Sequence, residues 1–292
     1  MAIIVSYYKI FYMTAIQPVI FTDMDGSLLD HATYSHAEAD ELLDWLRSRQ
    51  IPVIPVTSKT RAEVLVLRKQ LKNDYPFVVE NGAAIFSPLG YFKHDISDVI
   101  ESDSYFLKAF VNPRTHWQSL LGSIGPHLND AFVTFAQAGV SGVMEMTGLA
   151  NSEARLASQR EFGEPLKWLG SSEQFELFNE YIVSHGGQLL RGGRFIHLSG
   201  RCDKGLALRW LLAEYQQHYP GKKIVTIALG DSHNDTAMLE AADYAVVIRS
   251  PVHDYPKLKH DKQQHVYLTR EEGPRGWVEG VTNVLNDLGK NN

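Results

Sequence analysis

Two periods alternate along the chain. Val19 to Thr22, entered through Pro18, form a short apolar run of the kind shown by a buried strand. Beyond a polar stretch, Ala39, Leu42, Leu43 and Leu46 recur at i, i+3, i+4 and i+7, which is one face of a helix. Ser35-His36-Ala37-Glu38 ahead of that face has the spacing of a capping box and predicts the helix start. Ile51 to Val56 is a β-branched run, and Pro52 and Pro55 argue against a central place in a sheet. Val64, Leu67, Arg68 and Leu71 carry the next helix, and Phe77 to Val79 the next strand. Strand, helix, strand, helix, strand predicts right-handed crossovers and a parallel sheet. Asn81-Gly82 then marks a turn into Ala83 to Phe86.

Between residues 87 and 199 the rhythm loosens. A helix is expected from Ser172, where Phe175, Phe178 and Ile182 share a face. Gln188 to Arg191 and Arg194 to Leu198 flank Gly192-Gly193, a two-residue hairpin signal that implies antiparallel pairing. The parallel rhythm then returns: a helix from Lys204 to Tyr219, a strand from Ile224 to Leu229, and a helix near Asp235 to Ala241. Strands follow at Tyr244 to Ile248 and His265 to Leu268. The expected fold is therefore an α/β, Rossmann-like parallel-sheet core, built from residues 16–86 and 200–292. An α+β domain is inserted at 87–199, and residues 1–15 form an N-terminal extension.

Composition narrows the function classes. A length of 292 residues, 44% of them hydrophobic and 21% charged, allows a large core and excludes a disordered tail. With 28 basic against 34 acidic residues the net charge is −6, which argues against a general nucleic-acid or membrane-surface binder. The single cysteine, Cys202, excludes an internal disulfide and a cysteine-based zinc site and fits a reducing, cytoplasmic compartment. No apolar run approaches the roughly 20 residues of a membrane-spanning helix. The opening MAIIVSYYKIFYMTAIQP holds one basic residue, Lys9, and no clear small-residue cleavage site. It reads as a tag, or as residues upstream of a natural start at Met13, before a signal peptide. The twelve histidines show no H-E-x-x-H or comparable zinc spacing.

The candidate chemistry lies at strand ends. The first strand runs into Asp23-Met24-Asp25-Gly26-Ser27. Ligands of an open parallel sheet bind beyond the carboxyl ends of its strands. Two carboxylates there, with a glycine that lets backbone approach, suit a hard cation; the plain alternative is an acidic turn. The second strand ends in Thr57-Ser58-Lys59-Thr60, where a hydroxyl serves either a phosphate oxygen or a helix N-cap. Asp203-Lys204-Gly205 opens a helix, so Lys204 is either an anion ligand or a solvated surface lysine. Gly230-Asp231-Ser232-His233-Asn234-Asp235 follows another strand and is a second acidic loop, whose Ser232 or Asp235 can also cap the next helix.

Taken in order, D-x-D-G, a strand-terminal Thr, a helix-initiating Lys and G-D-x-x-N-D resemble the haloacid dehalogenase superfamily of phosphotransferases. The resemblance covers roughly 16–86 and 200–292, and the insert resembles that superfamily's α/β cap. PFVVENGAAIF, REFGEP, GGRFIHLSG and GPRGW are similar to segments of the mannosyl-3-phosphoglycerate phosphatases. Ser27 stands where the first motif usually has threonine and keeps the hydroxyl.

The resemblance implies a phosphoric monoester hydrolase. Asp23 is the implied nucleophile, forming an aspartyl-phosphate, and Asp25 the acid and base. Thr57 and Lys204 would bind the non-bridging oxygens. Mg²⁺ would be held by Asp23, the Asp25 backbone carbonyl and Asp231, with Asn234 and Asp235 orienting that shell or Lys204. Independently of the resemblance, two carboxylates beside a phosphate dianion require a cation. Candidate substrate residues are Ser58, Arg160, Glu161, Gly193 and Arg194. An arginine suits the carboxylate of a glycosyl phosphoglycerate, and Gly192-Gly193-Arg194 is a candidate anion nest. The expected partner is a small phosphorylated sugar conjugate, with no nucleic acid, membrane or obligate protein partner. The alternatives are a general sugar-phosphate phosphatase, a phosphomannomutase and a non-catalytic sugar-phosphate-binding regulator. A binder needs no acid/base carboxylate, so Asp25 beside Asp23 speaks against the last.

Overall fold

A computed structural model describes residues 15–191, 194–252, 254–259 and 265–290. The core begins with β1 (Ile16–Thr22), α1 (Asp40–Ser48), β2 (Val53–Pro55), α2 (Arg61–Gln70), β3 (Phe77–Val79), β4 (Ala84–Pro88), β5 (Ile100–Ser102) and β6 (Tyr105–Ala109). The inserted part holds α3 (Arg114–Gly122), β7 (Phe132–Thr134), α4 (Phe135–Thr147), α5 (Asn151–Ala157), β8 (Glu164–Trp168), α6 (Ser172–Ser184), β9 (Gly187–Arg191) and β10 (Ile196–Gly200). The chain returns to the core through α7 (Lys204–His218), β11 (Lys223–Gly230), α8 (Thr236–Ala241), β12 (Tyr244–Arg249), β13 (Val266–Glu272) and α9 (Gly273–Lys290).

Five parallel strands form the central sheet in the order β13-β12-β11-β1-β2. Side chains alternate between its faces, and both faces are covered. Ile20, Ile227 and Val246 pack against Leu42, Leu43 and Leu46 of α1 and Trp277, Val281 and Leu285 of α9. Their neighbours Val19, Phe21, Ala228 and Val247 face Leu208, Leu211 and Tyr215 of α7 and Met238 and Leu239 of α8. The proline-flanked β2 ends this sheet, as Pro52 and Pro55 predicted, and the isolated bridge Val56↔Val78 joins it to β3. The resulting fold class is α/β with a parallel-sheet core and an inserted α+β cap. Among the described residues no helix is long and apolar enough to cross a membrane.

Several expectations change in three dimensions. The turn after β3 leads into an antiparallel sheet, β3-β4-β6-β5, so the boundary expected between residues 86 and 87 falls inside β4. Strand pairing favours a passage to the insert after Ala109, because the insert has its own antiparallel sheet, β7-β8-β10-β9. The predicted α6 face is correct: Phe178 and Ile182 are buried with Trp117, Leu166 and Leu198, and Phe175 packs beside them. The hairpin is real, but Arg191 pairs with Ile196, so four residues join the strands rather than Gly192-Gly193 alone. The capping box at Ser35 does not form. Ser35 Oγ accepts the Ala37 N–H at 3.3 Å, and a 3₁₀ turn, Ala37–Ala39, precedes α1. The expected N-terminal extension with its start at Met13, and Gly193 as a substrate residue, lie outside the described residues but for Ala15.

Candidate active site

Sheet register gathers the acidic loops. Thr22 lies opposite Leu229 on one side and Pro55 on the other, so β1, β11 and β2 release their next residues at one sheet edge. The Asp23 N–H donates to the Leu229 carbonyl at 2.9 Å, fixing the first loop to the end of β11. The end of β1 is braced from behind: Trp277 Nε1 donates to Thr22 Oγ1 at 3.0 Å, and that hydroxyl donates to the Asp23 carbonyl at 2.7 Å. This gives the GPRGW segment a structural account. Asp23, Asp231 and Asp235 are all buried and offer carboxylate oxygens within 4.8 Å of one another. Gly26 makes this approach possible. Its φ is +78°, and a Cβ there would stand 2.7 Å from Asp231 Oδ2.

Lys204, the first residue of α7, enters this cluster fully buried. Its Nζ donates to Asp23 Oδ1 at 2.5 Å and to Asp235 Oδ1 at 2.6 Å. Burial works against the ammonium charge, but Asp23 and Asp235 outweigh it and hold the Lys204 pKa above its ordinary value. Burial raises the Asp23 carboxyl well above the usual carboxylate range; Lys204 pulls it down, while Asp235, Asp231 and Asp25 push it up. The other oxygen of Asp235 accepts the N–H groups of Asp231, at 3.2 Å, and Ser232, at 3.1 Å. Asp235 therefore ties Lys204 to the loop that carries Asp231. Asn234 reaches sideways, donating from Nδ2 to Asn81 Oδ1 at 3.1 Å.

Asp25 points elsewhere. Its Oδ2 pairs with Lys59 Nζ at 2.8 Å, and its Oδ1 is buried without a hydrogen-bond partner among the described residues. Burial opposes the Lys59 charge, but Asp25 and Glu63 raise its pKa above the ordinary value. Lys59 was visible only as part of the Thr57-Ser58-Lys59-Thr60 string. Its position two residues past a strand-terminal threonine was the available signal. In that string Thr60 caps α2 in a box with Glu63, and Thr57 lies before the helix, its Oγ1 accepting the Lys59 N–H at 3.2 Å.

The insert meets this loop through the REFGEP segment. Arg160 Nη1 donates to the Ser58 carbonyl at 3.0 Å. The buried Glu80 carboxylate accepts the N–H groups of Glu161 at 2.7 Å, Phe162 at 3.3 Å and Gly163 at 2.7 Å. Burial raises the Glu161 carboxyl, with Arg61 opposing and Glu80 and Asp103 adding to the rise. His197 on β10 is pushed down to about 3 by burial and by Arg160. Glu80 lies in PFVVENGAAIF and His197 in GGRFIHLSG, but no local pattern marks either side chain, because each acts across more than 30 residues of chain. Arg194 is not brought into this group. It is exposed, donates to the Thr147 carbonyl at 3.0 Å and lies over Phe195. The Cys202 thiol is buried, and burial pushes its pKa up to about 11, which makes it a packed rather than a reactive group.

The arrangement fits a divalent cation. Four carboxylates, Asp23, Asp25, Asp231 and Asp235, are met by two ammonium groups, Lys204 and Lys59. An arriving phosphate would add to this surplus of negative charge, and an all-oxygen donor set is what a hard cation takes.

A three-layer α/β core with acidic loops at one sheet edge and an inserted cap defines a class, the capped phosphatases of the haloacid dehalogenase type. Residues 20–106 match the model for haloacid dehalogenase-like hydrolases, and residues 192–283 match that for sucrose-6F-phosphate phosphohydrolase. A glucosyl-3-phosphoglycerate/mannosyl-3-phosphoglycerate phosphatase of Methanococcoides burtonii is 36% identical over 275 residues, covering 94% of this chain and 98% of the relative. A protein of the same name from Persephonella marina is 32% identical, covering 92% and 98%. The sucrose-phosphatase of Synechocystis, solved with sucrose and phosphate, shares the fold at 14% identity and a TM-score of 0.55, covering 92% and 98%. The chain belongs to the haloacid dehalogenase superfamily and, within it, to the family of these phosphoglycerate-conjugate phosphatases.

Proposed function

We propose that the chain is a Mg²⁺-dependent phosphomonoesterase that hydrolyses mannosyl- or glucosyl-3-phosphoglycerate through an aspartyl-phosphate on Asp23. The observation that carries this reading is the buried Asp23–Lys204–Asp235 cluster with Asp231 beside it, in a chain whose relatives bear that activity in their names. Asp23, the Asp25 carbonyl and Asp231 would hold Mg²⁺, which supplies positive charge against the phosphate dianion.

An Asp23 oxygen attacks phosphorus, and the ester P–O bond breaks as the leaving oxygen takes a proton from Asp25. Asp25 then takes a proton from water. The water oxygen attacks phosphorus, and the Asp23–phosphorus bond breaks to release phosphate. Thr57 and Lys204 hold the non-bridging oxygens, whose charge persists through both transition states. Asp235 keeps Lys204 and the Asp231 loop in place, and Asn234 joins that loop to the turn at Asn81. The insert acts as a cap that excludes water and selects substrate: its Arg160 and Glu161 lie nearest the phosphate loop, Thr57 to Thr60, whose Ser58 shares the substrate with them. Arg194, with Gly193, belongs to this reading only as a second approach to the substrate carboxylate. The substrate is a small molecule, and the unreactive Cys202 is compatible with a reducing cytoplasm.

A second reading, a general sugar-phosphate phosphatase, draws support from the sucrose-6F-phosphate phosphohydrolase match over 192–283. Phosphate release with and without Mg²⁺ from the two glycosyl-3-phosphoglycerates, hexose phosphates and sucrose 6-phosphate separates the two. The proposal expects Mg²⁺-dependent turnover with the highest kcat/KM on a glycosyl-3-phosphoglycerate. Equal or better use of hexose phosphates would favour the second reading, and no release from any ester would defeat both.

A further inference from the structure

Glu80 stands outside the chemistry just described, yet its carboxylate is buried and accepts three backbone N–H groups. All three donors belong to one segment of the insert, 160–163, whereas Glu80 itself sits on the turn between β3 and β4 of the core. A carboxylate is stable in such a place only when its oxygens are hydrogen-bonded, and here the bonds cross from one sheet system to another. The turn is held in turn by the phosphate loop. The Glu80 N–H donates to the Lys59 carbonyl at 3.0 Å and the Asn81 N–H to the Thr57 carbonyl at 2.9 Å. Arg160 closes the ring by donating to the Ser58 carbonyl at 3.0 Å. Thr57, the turn and the REFGEP segment are thus one hydrogen-bonded unit.

The segment is fixed from its other side as well. The Glu161 carbonyl accepts the Arg114 N–H at 2.7 Å, at the point where the chain enters α3. Gly163 lets the carboxylate come close: a Cβ there would stand 3.2 Å from Glu80 Oε2 and 3.4 Å from the Leu198 carbonyl.

We propose that Glu80 is a positioning residue, a clasp that seats the 160–163 segment of the cap on the phosphate loop and so sets the position of Arg160 and Glu161 for a substrate that reaches the cap. The catalytic part of this inference rests on the proposed function; the clasp does not. Glu80→Gln keeps the shape but places an amide NH₂ among three donors, so the clasp opens without any loss from the Asp23–Lys204 cluster.

Two measurements are made on Glu80→Gln with Mg²⁺ present. Amide hydrogen exchange should quicken at Glu161, Phe162 and Gly163 and stay unchanged in β10. The kcat/KM on glycosyl-3-phosphoglycerate should fall by about tenfold, mainly through KM, while that on para-nitrophenyl phosphate stays within about threefold. Unchanged exchange would overturn the clasp. Quickened exchange with equal losses on both esters, or with no loss on either, would overturn the positioning role. If Glu80→Gln does not fold, Gly163→Ala, which crowds the carboxylate from the other side, should give the same split between esters. A wild-type enzyme inactive on glycosyl-3-phosphoglycerates would defeat the proposed function and leave the exchange result standing as the test of the clasp.

Discussion

Replacing Lys204 by methionine tests whether the buried ammonium is the strut of the site. Methionine nearly matches the length of the lysine stem, so little packing is lost, and the change is almost purely electrostatic. Lys204 is fully buried and has two carboxylate partners at 2.5 and 2.6 Å, so its removal leaves Asp23 and Asp235 without their shared cation. Removing one member of a buried ion pair costs about 3–5 kcal/mol. For a chain of this length such a loss lowers the melting temperature by roughly 6–20 °C, taking about 2–4 °C per kcal/mol. Thermal unfolding at neutral pH in chelator, followed by circular dichroism, reads this directly. Mg²⁺ should then restore more of the melting temperature to the variant than it adds to the wild type, because the cation replaces a missing charge. A melting temperature in chelator within about 2 °C of wild type would refute the reasoning, since it would mean that the carboxylates do not depend on Lys204.

Three further outcomes follow from the same geometry. Asp25→Asn should retain the fold and lower kcat by about 10²–10⁴, the usual size of an acid/base contribution, which steady-state phosphate release measures. His197 has a pKa pushed down to about 3, so the unfolded chain binds a proton that the folded chain refuses as pH falls from about 6.5 toward 3. Stability should be lost across that window, and His197→Gln should flatten the dependence of urea midpoints on pH between 4 and 6.5, as the linkage of proton binding to folding requires, with the window of about those values. Gly82 has φ +93°, and a Cβ there would stand 2.1 Å from the Asp203 carbonyl; Gly82→Ala should therefore destabilise by about 2–4 kcal/mol in denaturant unfolding, from backbone strain and overpacking together.

The parts of the fold legible in the sequence were those with a local cause. The apolar run from Val19, the helix face through Leu46 and the strand before Gly230 each carry their own periodicity, and each forms where expected. Asp23, Asp231 and Lys204 were visible because they follow a strand or open a helix, and the register of β1 with β11 brings the two aspartates together. What was not legible depends on pairing between distant segments. No residue in Ala84–Pro88 announces an antiparallel partner at Tyr105–Ala109, and the boundary expected at 86/87 ran through that strand as a result. Glycines at 192 and 193 signal a tight hairpin, but β9 and β10 pair from Arg191 with Ile196, a longer connection. Ser35 had the spacing of a cap, yet its hydroxyl is taken by the Ala37 N–H. Lys59 meets Asp25 only once β2 lies beside β1, and Glu80 meets its donors only once the insert reaches the turn after β3; a linear string cannot display that convergence.

The central claim is that Asp23 carries the phosphoryl group between ester and water. Enzyme quenched in acid during turnover of glycosyl-3-phosphoglycerate with Mg²⁺ can be reduced with borohydride, which converts an acyl phosphate to an alcohol, and the peptides analysed by mass spectrometry. The account predicts reduction at Asp23, dependent on substrate and Mg²⁺ and absent from Asp23→Asn. Active enzyme that shows no reduction at Asp23, or shows it at another carboxylate, would contradict it.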